Sequence, residues 1–467
     1  MQERIMETNL EKATAFSKEH LRDFIKELQD ILKIKTISSD SAYKNEMIKC
    51  ADWLVAYLKG LGVADARSID SGRNPIVFGS LNHAGEGKPT ILVYGHYDVQ
   101  PPDPLDEWTH DPFDPVIEGN LLLARGSSDM KGQAIIMLSA IKSILAFDSM
   151  PVNLKFLFEG DEEVGSPSIV PFLTENKDLF KSDFVLNLDA GMVAKDKPTI
   201  VYGLRGLAYF EIAVTGPAHD LHSGLFGGIV YNPIHALSEL IAGMKNSDGQ
   251  ITLPGFYDDV LPLDEKERSA LNALDNPDAY YIEQTGVKEI FGEKGFTNVE
   301  RIGARPTLDV NGIWGGYTGE GPKTVIPARA FAKLSMRLVP QQTPAKVLQQ
   351  LTLYMQQNAP RQVKWEIKQL ASDPACITAM DFYGTQCLVK SLEKVMGKTP
   401  VFKREGGSIP IATHFQNIMG MESVMSGFSL PEDRVHSPNE QLDLELFEKG
   451  IETVIDFFYR VAEEGCK

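Results

Sequence analysis

The stretch ILVYGHYDVQP, residues 91–101, ends an apolar run with a histidine and an aspartate, His96 and Asp98. Side chains two positions apart on a β-strand lie on the same face, so the pattern predicts that both point into one space. Two interpretations remain open from these residues alone. The two side chains either form a buried pair that satisfies only each other's hydrogen bonds, or the carboxylate orients the imidazole for a catalytic or metal-binding role.

Further carboxylates and a second histidine occur in other short segments. ARGSSDMKGQ places Asp129 in a Gly- and Ser-rich loop before a predicted helix, where helix capping is the simplest alternative. LNLDAG ends an apolar strand on Asp189, and His436 lies in the loop segment RVHSPNE. FEGDEEVGS follows an apolar strand with crowded acids, which repel each other unless cations bind or the turn is solvated. These acids are Glu159, Asp161, Glu162 and Glu163.

Together these residues supply oxygen and nitrogen ligands without a cysteine cluster. Such a set suits Zn²⁺, Mn²⁺ or Co²⁺ in a hydrolytic site better than a structural zinc site. A two-metal site needs a bridging carboxylate, with the ions about 3.5–4 Å apart. The adjacent Glu162 and Glu163 can divide the work, because one can ligate while its neighbour reaches a water molecule as general base.

The composition narrows the class of protein. The 467 residues predict two or three domains, and 43% hydrophobic with 24% charged residues is typical of a globular protein. A formal net charge of −18 disfavours nucleic acids and anionic membranes as partners, since both require a basic surface. The longest apolar stretch, 134–147, is interrupted by Lys142 and is too short to span a bilayer. The N-terminal segment lacks the apolar core of a secretory signal, and the scattered cysteines indicate no disulfide framework, so we expect a cytoplasmic protein.

Apolar periodicity predicts the elements that must position these residues. Helices are expected over 21–32 and 47–58, and short apolar strands then alternate with helices. This order predicts an α/β fold with a mostly parallel central sheet flanked by helices. In such sheets ligands bind at the carboxyl ends of strands, where His96, Glu162 and Asp189 fall. The apolar face of the second helix is expected to comprise Met47, Ile48, Ala51, Leu54, Val55 and Leu58.

The pattern changes near residue 206. LAYFEIAVTG and AFAKLSMRLVP alternate like antiparallel strands, with the predicted helix NPIHALSELIAGM between them. A long acidic region, roughly 250–305, looks irregular. We therefore expect an inserted domain, 206–378, within a discontinuous larger domain formed by 1–205 and 379–467.

Seven short segments, in their order along the chain, resemble the M20 family of metallopeptidases. They are GHYDVQP, ARGSSDMKGQ, EGDEEVGS, NLDAG, DLHSG, REGGSIP and HSPNE. The similarity is to its dipeptidase branch, which includes the carnosinase-like and cytosolic nonspecific dipeptidases, and it covers nearly the whole chain. The resemblance implies a two-metal hydrolase of dipeptides or short peptides, in which a metal-bridging water attacks the amide bond.

The resemblance also implies a role for each residue of the site. Asp129 would bridge the two ions, with His96 and Asp189 completing one site. Glu163 and His436 would complete the other. Asp98 would orient His96, and Glu162 would act as general base on the bridging water and return the proton to the leaving amine.

For the inserted domain, the resemblance implies a ferredoxin-like lid that also forms a homodimer. His222, in DLHSG, would stabilise the oxyanion in the partner subunit's active site, although a histidine that only packs the lid is the alternative. Thr324, Arg337 and Ser408 match substrate contacts of the family. A guanidinium such as that of Arg337 suits a peptide's terminal carboxylate, whereas an exposed strand charge is the simpler interpretation.

Other functions remain open at this point. The same chemistry serves N-acyl amino acid deacylases, carboxypeptidases and desuccinylases, which differ in the substrate pocket. A non-catalytic binding relative is disfavoured, because all five ligand positions and Glu162 are present. Carnosinase-like members tend to carry a histidine in the region corresponding to MDFYGTQCLVK, which has none here, and this weakens the case for β-alanyl-histidine as substrate.

Overall fold

The computed structural model describes residues 2–274, 277–407 and 410–465. The helices are α1 (Gln2–Glu19), α2 (Leu21–Leu32), α3 (Lys44–Gly60), α4 (Lys131–Leu145), α5 (Ile169–Glu175), α6 (Lys177–Phe180), α7 (Ser223–Phe226), α8 (Pro233–Gly243), α9 (Glu265–Asn272), α10 (Asp278–Thr285), α11 (Asn298–Gly303), α12 (Pro344–Asn358), α13 (Tyr383–Met396), α14 (Pro410–His414) and α15 (Leu444–Glu464). Short 3₁₀ turns occupy Ser41–Tyr43, Leu105–Glu107, Glu162–Val164 and Pro431–Asp433, and Phe415–Met419 is π-helical.

The strands are β1 (Arg67–Ile69), β2 (Ile76–Leu81), β3 (Thr90–His96), β4 (Val116–Glu118), β5 (Leu121–Leu123), β6 (Asn153–Glu159), β7 (Phe184–Asn187), β8 (Thr199–Leu204), β9 (Gly206–Thr215), β10 (Leu221–His222), β11 (Thr307–Gly315), β12 (Val325–Ile326), β13 (Arg329–Leu338), β14 (Lys364–Asp373), β15 (Cys376–Ile377), β16 (Val401–Glu405), β17 (Glu422–Met425) and β18 (Gln441–Asp443). Among the described residues, no helix combines the length and hydropathy needed to cross a bilayer.

The predicted helices form, with one error in their faces. α2 buries Phe24 and Leu28 completely, as its periodicity predicts. α3 buries Met47 and Leu54, but Ile48, expected on the same face, is 41% exposed. Neighbouring residues on a helix point about 100° apart, so a face that contains Met47 leaves Ile48 towards solvent.

The chain divides into two compact units. The first comprises the described residues of Met1–Tyr202, Thr378–Phe402 and Pro410–Lys467, and the second those of Gly203–Ile377 and Lys403–Ile409. The chain re-enters the second unit at Lys403, within β16. The sequence pattern did not predict this short return.

The first unit is built on a sheet with the strand order β1-β2-β6-β3-β7-β17-β8. Strands β6, β3, β7 and β17 are parallel at its centre, and antiparallel pairings lie on either side. Helices α3, α4 and α13 pack against β2, β3 and β17, respectively. The predicted α/β class with a helix-flanked central sheet is confirmed.

The second unit contains a four-stranded antiparallel sheet in the order β11-β13-β9-β14. Residues alternate between buried and half-buried along β9, and nearly so along β13, because helices α8 and α12 pack on only one face of this sheet. The chain order β9-α8-β11-β13-α12-β14 is the βαββαβ order of ferredoxin-like folds, as the family resemblance implied.

Candidate metal centre

Three of the polar segments come together because their strands are neighbours and parallel. β6, β3 and β7 lie side by side, so their carboxyl ends meet at one edge of the sheet. His96 is the last residue of β3, Glu162 and Glu163 follow β6, and Asp189 follows β7. The amide of Asp189 donates to the Asn187 side chain at 2.7 Å, which fixes the start of that loop.

The loop that carries Asp129 is held by a buried glutamate. Oε1 of Glu440 accepts from the amides of Ser128 at 2.9 Å and Asp129 at 3.0 Å. Its Oε2 accepts from the amide of Gly126 and from Nη1 of Arg125, both at 2.8 Å. Sequence reasoning missed this role of Glu440, although the residue closes the HSPNE segment.

The carboxylate of Asp129 lies between two histidines. Its Oδ1 is 3.1 Å from Nε2 of His96, and its Oδ2 is 3.0 Å from Nε2 of His436. Nε2 of His96 also lies 3.5 Å from Oδ1 of Asp189, and Nε2 of His436 lies 3.2 Å from Oε2 of Glu163. Two groups of potential ligands result, each with its atoms within 4.8 Å of one another, and Asp129 belongs to both.

Asp98 contacts both His96 and the acidic turn. Nδ1 of His96 lies 3.1 Å from the Asp98 carbonyl oxygen and 3.4 Å from its Oδ1, so the carbonyl is the closer acceptor. The two carboxylate oxygens of Asp98 accept from the amides of Glu162 and Glu163 at 3.2 and 3.1 Å. The aspartate therefore contacts the imidazole and also holds the turn that follows β6.

His436 approaches from a loop with an unusual backbone. Its φ of 63° lies in the left-handed region, which is uncommon for residues other than glycine and recurs at functional sites. Its side chain is 52% exposed, in contrast to His96, which is 1% exposed.

The ionisable groups of the site strongly shift one another's pKa values. Hydrogen bonds to Asp129 and Glu163 outweigh burial and raise the pKa of His436 to about 10. Burial raises the pKa of Asp189 to about 6, against the attraction of His96. Burial also raises the pKa of Glu162 well above its usual range, with the charges of Asp189, Glu163 and Asp129 adding to the effect. Buried carboxylates this close together fit a site for divalent cations, which would relieve their repulsion.

The second unit contains the remaining predicted site residues that the structure describes. His222 ends β10, is exposed, and lies opposite Val325 of β12. The amide of Ser223 donates to the carbonyl oxygen of Thr324 at 3.0 Å, so His222 and Thr324 are neighbours.

Arg337 lies on β13, opposite Leu207 of β9 and Thr307 of β11, on the half-buried face of its sheet. Ser408 lies outside the described residues.

Comparisons with known proteins agree with the fold. The profile of peptidase family M20/M25/M40 matches residues 92–460, so the chain belongs to this family and is a peptidase. The Cys-Gly metallodipeptidase dug1 of Schizosaccharomyces pombe is 31% identical over 474 residues, covering 98% of this chain and 99% of the relative. The Beta-Ala-His dipeptidase of Homo sapiens is 29% identical over 473 residues, covering 97% and 93%.

A solved structure extends the comparison. The M20 family metallo-carboxypeptidase Sso-CP2 from Sulfolobus solfataricus is 32% identical in sequence and has a TM-score of 0.81. The match covers 94% of this chain and 99% of that one. The similarity therefore includes both units of the fold.

Proposed function

We propose that the chain is a two-metal dipeptidase, which hydrolyses the amide bond of dipeptides and short peptides. The observation that carries this proposal is the Asp129 carboxylate, with one oxygen 3.1 Å from His96 and the other 3.0 Å from His436. A single carboxylate with an oxygen for each of two ions is the arrangement that two-metal hydrolases use. The dipeptidase relatives support the substrate class.

Five side chains would hold the two ions. Asp129 would be shared, with His96 and Asp189 on one side and Glu163 and His436 on the other, in agreement with the two ligand groups. Imidazole and carboxylate ligands suit Zn²⁺, Mn²⁺ or Co²⁺. When bound, the pair would polarise the scissile carbonyl and lower the pKa of the attacking water.

Glu162 is the general base of the proposal. Its amide is held by Asp98 at 3.2 Å, and its neighbour Glu163 is one of the proposed ligands, so the two side chains can divide their tasks. Glu162 takes a proton from the attacking water and passes it to the leaving amine nitrogen.

The second unit would supply residues that contact the substrate. Nδ1 of His222 accepts a hydrogen bond from the amide of Gly224 at 2.9 Å, so the neutral ring carries its hydrogen on Nε2. That exposed N–H is suited to an oxyanion, and we assign it to the active site of a partner subunit. Arg337 binds the substrate's terminal carboxylate, and Thr324 and Ser408 contact the substrate.

We assign the catalytic domain to 1–205 and 379–467, and the lid and dimerisation domain to 206–378. The boundaries of the two compact units, at 202–203 and 377–378, support this division. Exposed apolar side chains of the second unit support a homodimer, because such surfaces mark interfaces. They include Leu225 at 72% exposure, Ile229 at 78%, and Ile313 and Trp314 on the edge strand β11 at 51% and 42%.

The cytoplasm is the compartment that the proposal favours. Cys50 and Cys387 are buried and form no disulfide within the part of the chain that the structure describes, which suits a reducing environment. The net charge of −18 makes nucleic acids and anionic membranes unsuitable partners.

A carboxypeptidase is the second candidate, because the structural relative Sso-CP2 is described as a metallo-carboxypeptidase. Protein freed of metal by chelation and reloaded with Zn²⁺, Mn²⁺ or Co²⁺ should be assayed on free dipeptides, N-acylated dipeptides and N-acyl amino acids. The dipeptidase proposal predicts metal-dependent cleavage of free dipeptides and slow cleavage of the N-acylated compounds. Preferred cleavage of N-acylated dipeptides would favour the carboxypeptidase, and cleavage of N-acyl amino acids alone would favour a deacylase.

A further inference from the structure

The second unit contains a cavity of about 290 Å³ beside the sheet face that carries Arg337. Thr307 lines it and lies directly opposite Arg337 in the pairing of β11 with β13. Arg205 also lines it and directly precedes β9, two positions before Leu207, the residue opposite Arg337. Its charge interacts with that of Arg337. The volume is at the small end of ligand pockets and suits a small group. We call it the cationic cavity.

The charges of the cationic cavity are unbalanced. Arg305 is neutralised by Glu293 through two hydrogen bonds of 2.7 Å. The lining contains one carboxylate residue besides Glu293, which is Asp309. Three further cations of the lining have no carboxylate within 4.0 Å among the residues that the structure describes, and these are Arg205, Lys245 and Arg301.

Arg205 is the buried member of this set, at 9% exposure. Its Nε donates to the carbonyl oxygen of Gly406 at 3.1 Å, and its Nη1 donates to that of Arg305 at 3.4 Å. Burial and the charge of Arg337 lower the pKa of Arg205 to about 10. The carboxylates of Asp309 and Glu405 oppose this effect, and that of Glu405 is already paired with a lysine at 2.6 Å outside the lining. Carbonyl dipoles do not neutralise a buried guanidinium, whereas an anion would.

We propose that the cationic cavity binds the side-chain carboxylate of an acidic C-terminal residue, so that the enzyme prefers dipeptides ending in glutamate or aspartate. This inference rests on the proposed function, in which Arg337 binds the main-chain carboxylate of the same residue. A chain with a net charge of −18 repels anionic substrates at long range, so the preference must come from local cations such as these.

The test compares Ala-Glu with Ala-Gln, and Ala-Asp with Ala-Asn, on the metal-loaded enzyme. Each pair shares its first residue and its size, so the ratio of kcat/KM values isolates the side-chain charge. We expect the acidic member to be favoured about tenfold, mainly through KM, because hydrogen bonds to charged groups contribute this much.

Two variants test whether the preference for an acidic C-terminal residue depends on the cationic cavity. Lys245→Met should reduce the Glu-over-Gln ratio by about fivefold, as for a half-exposed ion pair. Arg205→Met should abolish the preference, a loss of about tenfold, because its site is buried. Lys364→Met is the matched control: Lys364 is exposed and pairs with Thr215, at the opposite end of β9 from Arg205 and about 30 Å away. The control should keep the wild-type ratio.

Calorimetric binding of free glutamate and glutamine to the same proteins gives a readout independent of turnover. Equal kcat/KM within each pair in the wild type would overturn the inference while leaving the dipeptidase proposal intact. A preference that survives both cavity variants would also overturn it. If no dipeptide is cleaved, the proposed function fails, yet tighter binding of glutamate that depends on Lys245 would still support the cationic cavity as a carboxylate site.

Discussion

Replacing Glu440 by glutamine changes one atom of the structure that supports Asp129. The two carboxylate oxygens accept from Arg125 and from the amides of Gly126, Ser128 and Asp129, at 2.8 to 3.0 Å. The glutamine side chain has the same shape as glutamate, but an NH₂ group replaces one of the accepting oxygens. This NH₂ group is a donor, and it would face the N–H donors that the oxygen had accepted from. The residue is fully buried, so water cannot replace the lost bonds.

The expected cost follows from the buried ion pair. Arg125 is 1% exposed and would lose the carboxylate of its ion pair with Glu440, and breaking a buried pair by removing one charge costs about 3–5 kcal/mol. Burial raises the pKa of Glu440 despite the attraction of Arg125, so the carboxylate is itself costly to bury and the neutral amide recovers part of the loss. We therefore expect the lower end of that range, about 3 kcal/mol in the free energy of unfolding.

Metal binding should weaken together with stability, because the single amide oxygen cannot accept from both pairs of donors that hold the loop of Asp129. Residues that hold metal ligands in place typically contribute about 10–100-fold to metal affinity. Urea unfolding and calorimetric metal titration of Glu440→Gln should be compared with Glu432→Gln, an exposed glutamate on the same loop whose loss should cost less than about 0.5 kcal/mol. If Glu440→Gln matches this control in stability and binds metal with wild-type affinity, the reasoning is refuted.

Three further outcomes are expected. Glu162→Gln should lower kcat by about 10²–10⁴ while the protein keeps its metal, and near-normal turnover in a metal-loaded preparation would exclude the general-base role. His222→Ala should lower kcat by about 10²–10³, and reassociation with Glu162→Gln should restore about a quarter of wild-type activity per site if the histidine acts across a dimer; verified mixed dimers without any gain would exclude that arrangement. Because a ligating imidazole must be neutral and the metal-free pKa of His436 is about 10, metal affinity should rise with pH between about 6 and 9, with proton release visible by calorimetry in different buffers. An affinity that does not change with pH would contradict the ligand role of His436.

Local patterns predicted the parts of the fold that depend on local physics. The apolar run before His96 marks a central strand, and its polar end marks the edge where ligands collect. The error at Ile48 arises because a short apolar cluster does not specify which residue lies at the margin of a helix face. Helix α11, in the region that looked irregular, had a readable signal, since Thr297 and Glu300 form a capping box.

The candidate site depends on contacts that no local pattern contains. Asp129 and His436 are 307 positions apart, and the sequence related them only through the family resemblance. The sequence pattern did not predict the role of Glu440, because its partners lie more than 300 positions earlier. Likewise, Arg205 and Lys245 are 40 positions apart and line one cavity together with residues of the chain between α8 and β11.

We propose that Asp129 is shared by two catalytic metal ions. The most direct measurement is a titration of metal-free protein with Zn²⁺ or Mn²⁺, in which bound ions per chain and turnover of a free dipeptide are followed on the same samples. Two ions per chain should bind, turnover should follow their occupancy, and Asp129→Asn should lose high-affinity binding of both ions together with activity. Full turnover in thoroughly metal-free protein, or two tightly bound ions and normal turnover in Asp129→Asn, would contradict the account.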